Sequence, residues 1–142
     1  MTMTTTMLRW FLLVLVLTAP AQAAEPVTQT FAAPPDRVWS VTEHVLKQLG
    51  WDVEKADRTI GWITTESRWV EGDSEEWGVY AKGLRHRLNI SVKALGEGRT
   101  TVSVERTLFK RERILWMDKD EPLTVSGHAV EQALLAAIER SL

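Results

Sequence analysis

The 142-residue chain contains no cysteine. That one absence removes disulfide staples, thiolate nucleophiles and cysteine-based metal centres together. It also removes the modified cysteine on which a bacterial lipoprotein is anchored. Histidine is scarce, and His44, His86 and His128 are scattered with no paired metal-ligand spacing. No serine lies in Gly-x-Ser-x-Gly, and Gly96-Glu97-Gly98 lacks the third glycine and the helix that a dinucleotide site requires. The acidic groups Asp73/Glu75/Glu76 and Asp118/Asp120/Glu121 lack the spaced framework and distal glutamate of a calcium loop. The chain is therefore expected to hold no metal or cofactor and to be no enzyme.

A charge excess of one sign is missing too. Lysine and arginine number 17 against 19 acids, a net of −2 with histidine neutral, so nothing gathers phosphates or anionic lipid and nucleic acid is not an expected partner. There is one long apolar run, Trp10 to Leu17, short of the roughly 20 residues a membrane-spanning helix needs. Arg9 precedes it, Thr18-Ala19-Pro20 breaks it, and Ala21-Gln22-Ala23 follows as a small-x-small site. This pattern predicts a signal peptide over residues 1–23, cleaved before Ala24. Residues 24–142 are then expected to form one exported domain, periplasmic or secreted, with no permanent membrane anchor.

Within that domain, Val27 to Phe31 alternates like a short strand. Pro34-Pro35-Asp36 opens a helix whose apolar stripe, Val38, Val41, Val45, Leu46 and Leu49, ends at Gly50. Trp51 to Ala56 and Thr59 to Thr65 alternate on either side of Asp57-Arg58, which predicts a hairpin. Glu71 to Glu76 reads as a solvated acidic loop, and Trp77 to Ala81 as a short extended piece. Leu88, Ile90 and Val92 point one way while Arg87, Asn89, Ser91 and Lys93 point the other. Val102 and Val104 repeat the alternation beyond a turn at Leu95 to Gly98, so one sheet face is apolar and the other polar. Lys110 to Arg113 reads as a strand end or exposed connection, and Asp118 to Pro122 as a loop. From Ser126 the pattern is helical, with Val130, Ala133, Leu134, Ala137, Ile138 and Leu142 on one stripe and Glu131, Gln132, Glu139 and Arg140 opposite. The expected class is α+β: an antiparallel sheet with two helices on one face, in the order β-α-β-β-β-β-α.

Six tryptophans lie beyond the signal. Trp39 and Trp51 are expected in the core. Trp62 must oppose Ile63, and Trp69, seven residues on, takes the opposite face from Trp62 unless a bulge intervenes. Exposed aromatics on a sheet mark partner contacts. Together with Arg85 and Arg87, the tryptophans Trp62, Trp69 and Trp77 are the candidate partner-binding residues.

The run P-P-D-R-V-W-S-V-T-E-H-V-L-K-Q-L-G-W-D-V-E-K-A-D-R-T-I-G-W-I-T-T resembles the helix-plus-hairpin signature of the BamC (NlpB/DapX) lipoproteins. The matching residues are Asp36, Arg37, Trp39, Leu46, Gly50, Trp51, Val53, Glu54, Asp57, Arg58 and Gly61. The resemblance implies a helix-grip fold and a non-enzymatic accessory role in outer-membrane barrel assembly, with an envelope protein as partner. It departs from that family in lacking the lipobox cysteine and in having one such domain rather than two. The opening A-P-P-D-R-V-W also resembles START-like proteins, which implies the alternative of a small hydrophobic ligand carried under the C-terminal helix.

Overall fold

The backbone around Pro34 is set for a helix by local chemistry. Pro34 is extended at φ −69° and ψ 154°, Pro35 fills a first-turn position where a missing N–H loses no bond, and Asp36 lies at the positive end of the dipole. In the computed structural model, which describes residues 25–142, helix α1 runs Pro35–Gln48. The expected signal peptide, residues 1–23, lies outside the described residues. Val38, Trp39, Thr42, Val45 and Leu46 form the buried side of α1, and Thr42 satisfies its hydroxyl by donating to Val38 O at 2.7 Å. Two bonds close the helix in a Schellman turn. Gly50, at φ +80°, donates to Lys47 O (3.1 Å), and Trp51 donates to Leu46 O (2.9 Å). The turn folds Trp51 back into the core beside Leu46.

The strands are β1 (Val27–Phe31), β2 (Val53–Asp57), β3 (Trp62–Thr65), β4 (Arg68–Trp77), β5 (Tyr80–Ala94), β6 (Thr100–Ile114) and β7 (Met117–Leu123), followed by helix α2 (Ala129–Ser141). They form one antiparallel seven-stranded sheet, and the class is α+β. Its spine is the β5–β6 hairpin, in register over all 15 residues from Tyr80↔Ile114 to Ala94↔Thr100. On either flank of this spine two strands lie end to end. The half near Ser91 is flanked by β3 and β1; the half near Tyr80 is flanked by β4 and β7.

Only the first half is roofed. Helix α2 packs on β6 and β1, α1 packs on β5, and the helices pack on each other. Val38, Trp39, Val45 and Leu46 of α1 and Leu134, Leu135 and Ile138 of α2 share one core with Ile63, Leu88, Ile90, Val92, Val102 and Val104. The second half, β4 and β7 with the adjoining ends of β5 and β6, projects as an arm whose flanking strands are largely exposed.

The expected order is corrected here, since six strands rather than four lie between the helices. The acidic stretch Glu71 to Glu76 is strand β4, not a loop, and Asp118 to Pro122 belongs to strand β7. The charged run Lys110 to Arg113 forms the end of β6, the strand-end alternative of its two expected readings. With water on the outside of the arm these strands need no apolar alternation, so their sequence carries none. Trp77 to Ala81 is the β4–β5 turn and its margins rather than a separate extended piece, and the last helix begins at Ala129, three residues after Ser126.

The β2–β3 hairpin turns at Asp57, whose Oδ1 accepts from Thr59 N (3.0 Å) and Ile60 N (3.2 Å). Gly61, at φ +78°, then brings its backbone against β5: Val92 N donates to Gly61 O at 2.8 Å, and a Cβ on Gly61 would lie 2.1 Å from Val92 O. Gly61→Ala is expected to lower the unfolding free energy by about 2–4 kcal/mol, strain and backbone clash adding together. Gly98→Ala, at φ +66° in open space, should cost about 1 kcal/mol. Urea midpoints of the two variants check the difference.

Candidate functional site

Residues opposite one another in a sheet share a face, so β5 serves as a ruler. Its even residues His86, Leu88, Ile90 and Val92 face the helices; its odd residues Arg85, Arg87, Asn89 and Ser91 face away. Trp62 pairs with Ser91 and Trp69 with Arg85, so both tryptophans stand on the outward face. Sequence parity alone puts them on opposite faces. The reason for the difference is a bulge: Thr64 faces Asn89 and Arg68 faces His86, so one strand uses an extra residue. Thr65 turns inward there, and its Oγ1 accepts the Leu88 N–H at 2.9 Å. Ile63 is buried and Trp62 is 39% exposed.

Trp62, Trp69, Arg85 and Arg87 thus share one surface. Trp77 does not join them. It pairs with Tyr80 at the end of the arm, where strand parity is that of the opposite face. Arg85 lies over the Trp69 ring at 4.7 Å and donates to Ser67 Oγ (3.0 Å) and Ser67 O (2.6 Å). Burial, with Arg111 and Arg113 nearby, holds its pKa below the usual arginine value. Arg87 lies 5.7 Å from the centre of the Phe109 ring, and its buried Nε has no hydrogen-bond partner among the described residues. Arg111, also near that ring, is committed to a two-pronged bond with Asp120 at 2.7 and 2.9 Å. Among the described residues no carboxylate lies within ion-pair distance of Arg85 or Arg87.

Two shallow grooves meet at Asn89 on this face. One, of about 360 Å³, runs between Arg87, Thr107, Phe109, Asp120 and Pro122. The other, of about 200 Å³, lies between Trp62, Ser91, Ser103, Glu105 and Pro26. Guanidinium donors between aromatic walls suit a carboxylate carried on an apolar or extended chain.

The inward face carries a second constellation, which the sequence reading missed. Glu131, expected on the solvated side of its helix, is 1% exposed. Its Oε1 accepts from Arg106 Nε at 3.0 Å and its Oε2 lies 2.7 Å from His128 Nδ1. Arg106 Nη1 lies 3.3 Å from Nδ1 of the buried His86. A guanidinium only donates, so Nδ1 accepts and the His86 proton sits on Nε2. Burial first, then Arg106 and Arg68, lower the His86 pKa to about 4. The His86 ring packs tilted against Trp51 with ring centres 4.8 Å apart, and Arg68 covers Trp51 at 3.7 Å while donating to Leu49 O at the end of α1. Beside this network an open cleft of about 470 Å³ is bordered by Leu49, Arg68, Trp69, Val70, His86 and Val130.

A signal for this network was present. Arg106 interrupts the inward series Val102, Val104, Leu108, and His86 interrupts Leu84, Leu88, Ile90. Glu131 stands at helical spacing from Leu134, Leu135 and Ile138. Both Glu131 oxygens and His86 Nδ1 are occupied within the network, so the arrangement pins α2 to the sheet. No group of three or more potential metal ligands occurs among the described residues. A scan against protein-family models matches none, and a search of curated proteins returns no match.

Two outcomes test the network. Glu131→Leu is expected to lose about 3–5 kcal/mol by leaving Arg106 buried and uncompensated, and adding Arg106→Met should restore most of it. In the second, the unfolded chain takes up a proton at His86 near pH 6.5 that the folded chain refuses until about 4. Stability contributed here is full above 6.5 and is lost as pH falls toward 4. His86→Phe should flatten the urea-midpoint profile across that window.

Proposed function

We propose that this chain is an exported, non-catalytic accessory module of the bacterial cell envelope, and that it holds an envelope protein on the outward face of its sheet. The observation that carries the reading is the pair Arg85 and Arg87, without carboxylate partners and set between Trp69 and Phe109. Arg87 Nε is desolvated in the free chain without a compensating bond, which is unfavourable until a ligand supplies an acceptor. Trp62 adds exposed aromatic area at the neighbouring groove. A partner segment bearing an acidic side chain beside an apolar one fits this set.

The helix-grip assignment belongs to the same proposal. Its support is the sheet with both helices on one face, the C-terminal helix being held down by Glu131 as well as by its leucines. The likeness of the Pro34–Thr65 region to the BamC lipoproteins extends the proposal to outer-membrane protein assembly. A second reading, a carrier of a small hydrophobic ligand, is favoured by the cleft beside α2, which His86 lines with an Nε2–H that has no partner among the described residues.

Cross-linking and affinity capture from envelope extracts test the two readings. Wild type is expected to capture a defined envelope protein, and Arg87→Ala or Trp62→Ala to weaken capture by about tenfold or more with little change in melting temperature. Capture that is indifferent to both substitutions, with an amphiphile co-purifying and lost in Val70→Arg, would instead select the carrier reading.

A further inference from the structure

The arm ends in two turns that lie side by side. Trp77–Tyr80 joins β4 to β5 and Ile114–Met117 joins β6 to β7. Tyr80 and Ile114 are cross-strand partners, and Leu115 N donates to Val79 O at 3.1 Å, sewing one turn to the other. No charged residue occurs from Trp77 to Ala81 or from Ile114 to Met117. Trp116 is 83% exposed and Trp77 67%, and Val79, Ile114, Leu115 and Met117 are each at least half exposed. Trp77 stacks on Tyr80 with ring centres 5.8 Å apart. Leu115 sits at φ +57°, a conformation that favours glycine, yet the position holds a large apolar side chain in water. A contiguous apolar cap of this kind marks an interaction site.

Just behind the cap, charge is plentiful and balanced. Glu75, Lys82, Glu112 and Lys119 form one cross-strand row of alternating sign. Arg113 is paired with Asp118 at 2.6 and 3.1 Å, and Arg111 with Asp120. The stem therefore offers no net pull on an anionic surface.

We infer that this tip seats reversibly in the interfacial layer of a zwitterionic phospholipid bilayer. The cap is the convex end of two turns, and a bilayer interface receives a convex apolar shape without a matching groove. Tryptophan and tyrosine favour the headgroup level, where their rings are half apolar and half wet. The balanced rows behind them meet headgroups that are themselves paired charges. Insertion is shallow, because β4 and β7 are edge strands whose outer backbone groups need water. The tip lies roughly 30 Å along β5 from Asn89, so it is separate from the proposed protein-binding face.

The absence of cysteine makes the test direct. An environment-sensitive dye on Val79→Cys, with the same dye on Ser40→Cys as control, is followed in the full chain as phosphatidylcholine–phosphatidylethanolamine vesicles are added. The dye at position 79 is expected to shift to the blue and to be quenched by a lipid-borne quencher, the dye at position 40 to do neither. The response should persist in about 1 M salt, where exposed charges are screened within about 3 Å. Adding Trp116→Asp and Leu115→Asp should weaken the response at position 79 at least tenfold while leaving the melting temperature unchanged. No shift at 79, a shift that needs anionic lipid and vanishes in salt, or a shift without lipid that tracks self-association in sedimentation would each overturn the inference. So would burial of the dye only on adding a protein partner.

Discussion

Helix length against strand length is the constraint on which the rest of this structure depends. Helices of 14 and 13 residues reach about 20 Å, whereas strands of 15 residues run about 50 Å. Two such helices can roof one half of the central hairpin and no more. The roofed half has a dry side and follows the alternation that a dry side demands. The unroofed half meets water on its outer strands, and its flanks are joined by ion pairs and main-chain ladders instead of a shared core. One continuous hairpin thus serves as a core element at one end and as a projection at the other.

Where the roof stops, polar chemistry takes over from packing. Glu131, Arg106, His86 and Arg68 lie along that border, between the last core leucines and the cleft beside β4. Arg68 does two things there, covering Trp51 and supplying a donor to Leu49 O at the negative end of α1. A buried ion pair adds little net stability over an apolar replacement. Its directional bonds, however, fix how α2 is rotated on the sheet in a way that leucines alone do not. The Thr65 bulge acts at the same border from the other side, turning the chain so that Trp69 joins Trp62 on the outward face.

What the sequence made legible follows the same division. Helix α1, its glycine cap, the Asp57–Gly61 turn and the two faces of the β5–β6 hairpin were all readable. Each rests on a local signal: a proline pair, an Asx turn, a period of two. Glu71 to Glu76 and Asp118 to Pro122 read as loops because they owe their extended form to a neighbouring strand. Pairing of that kind leaves no mark in hydropathy. Trp62 and Trp69 stand on a common face only because of one extra residue near Thr65, which no periodicity announces. Trp77 shares their residue type but belongs to a different surface. Glu131 reads as solvated because a carboxylate on a helix is exposed far more often than buried.

The acids along β4 have one further consequence. The edge of an open sheet is a row of unspent hydrogen-bonding groups that invites a second chain to zip on. Between Trp69 and Ser74 the strand departs from regular pairing, and Gly83 admits the Asp73 carbonyl where any side chain would collide. Glu71, Asp73, Glu75 and Glu76 give this edge strand acids on both of its faces, only Glu75 standing opposite a lysine, Lys82. Two molecules meeting edge to edge would find an interrupted ladder and facing carboxylates. The acidic segment therefore opposes edge-to-edge pairing of a long, bare strand through the charge of its own side chains.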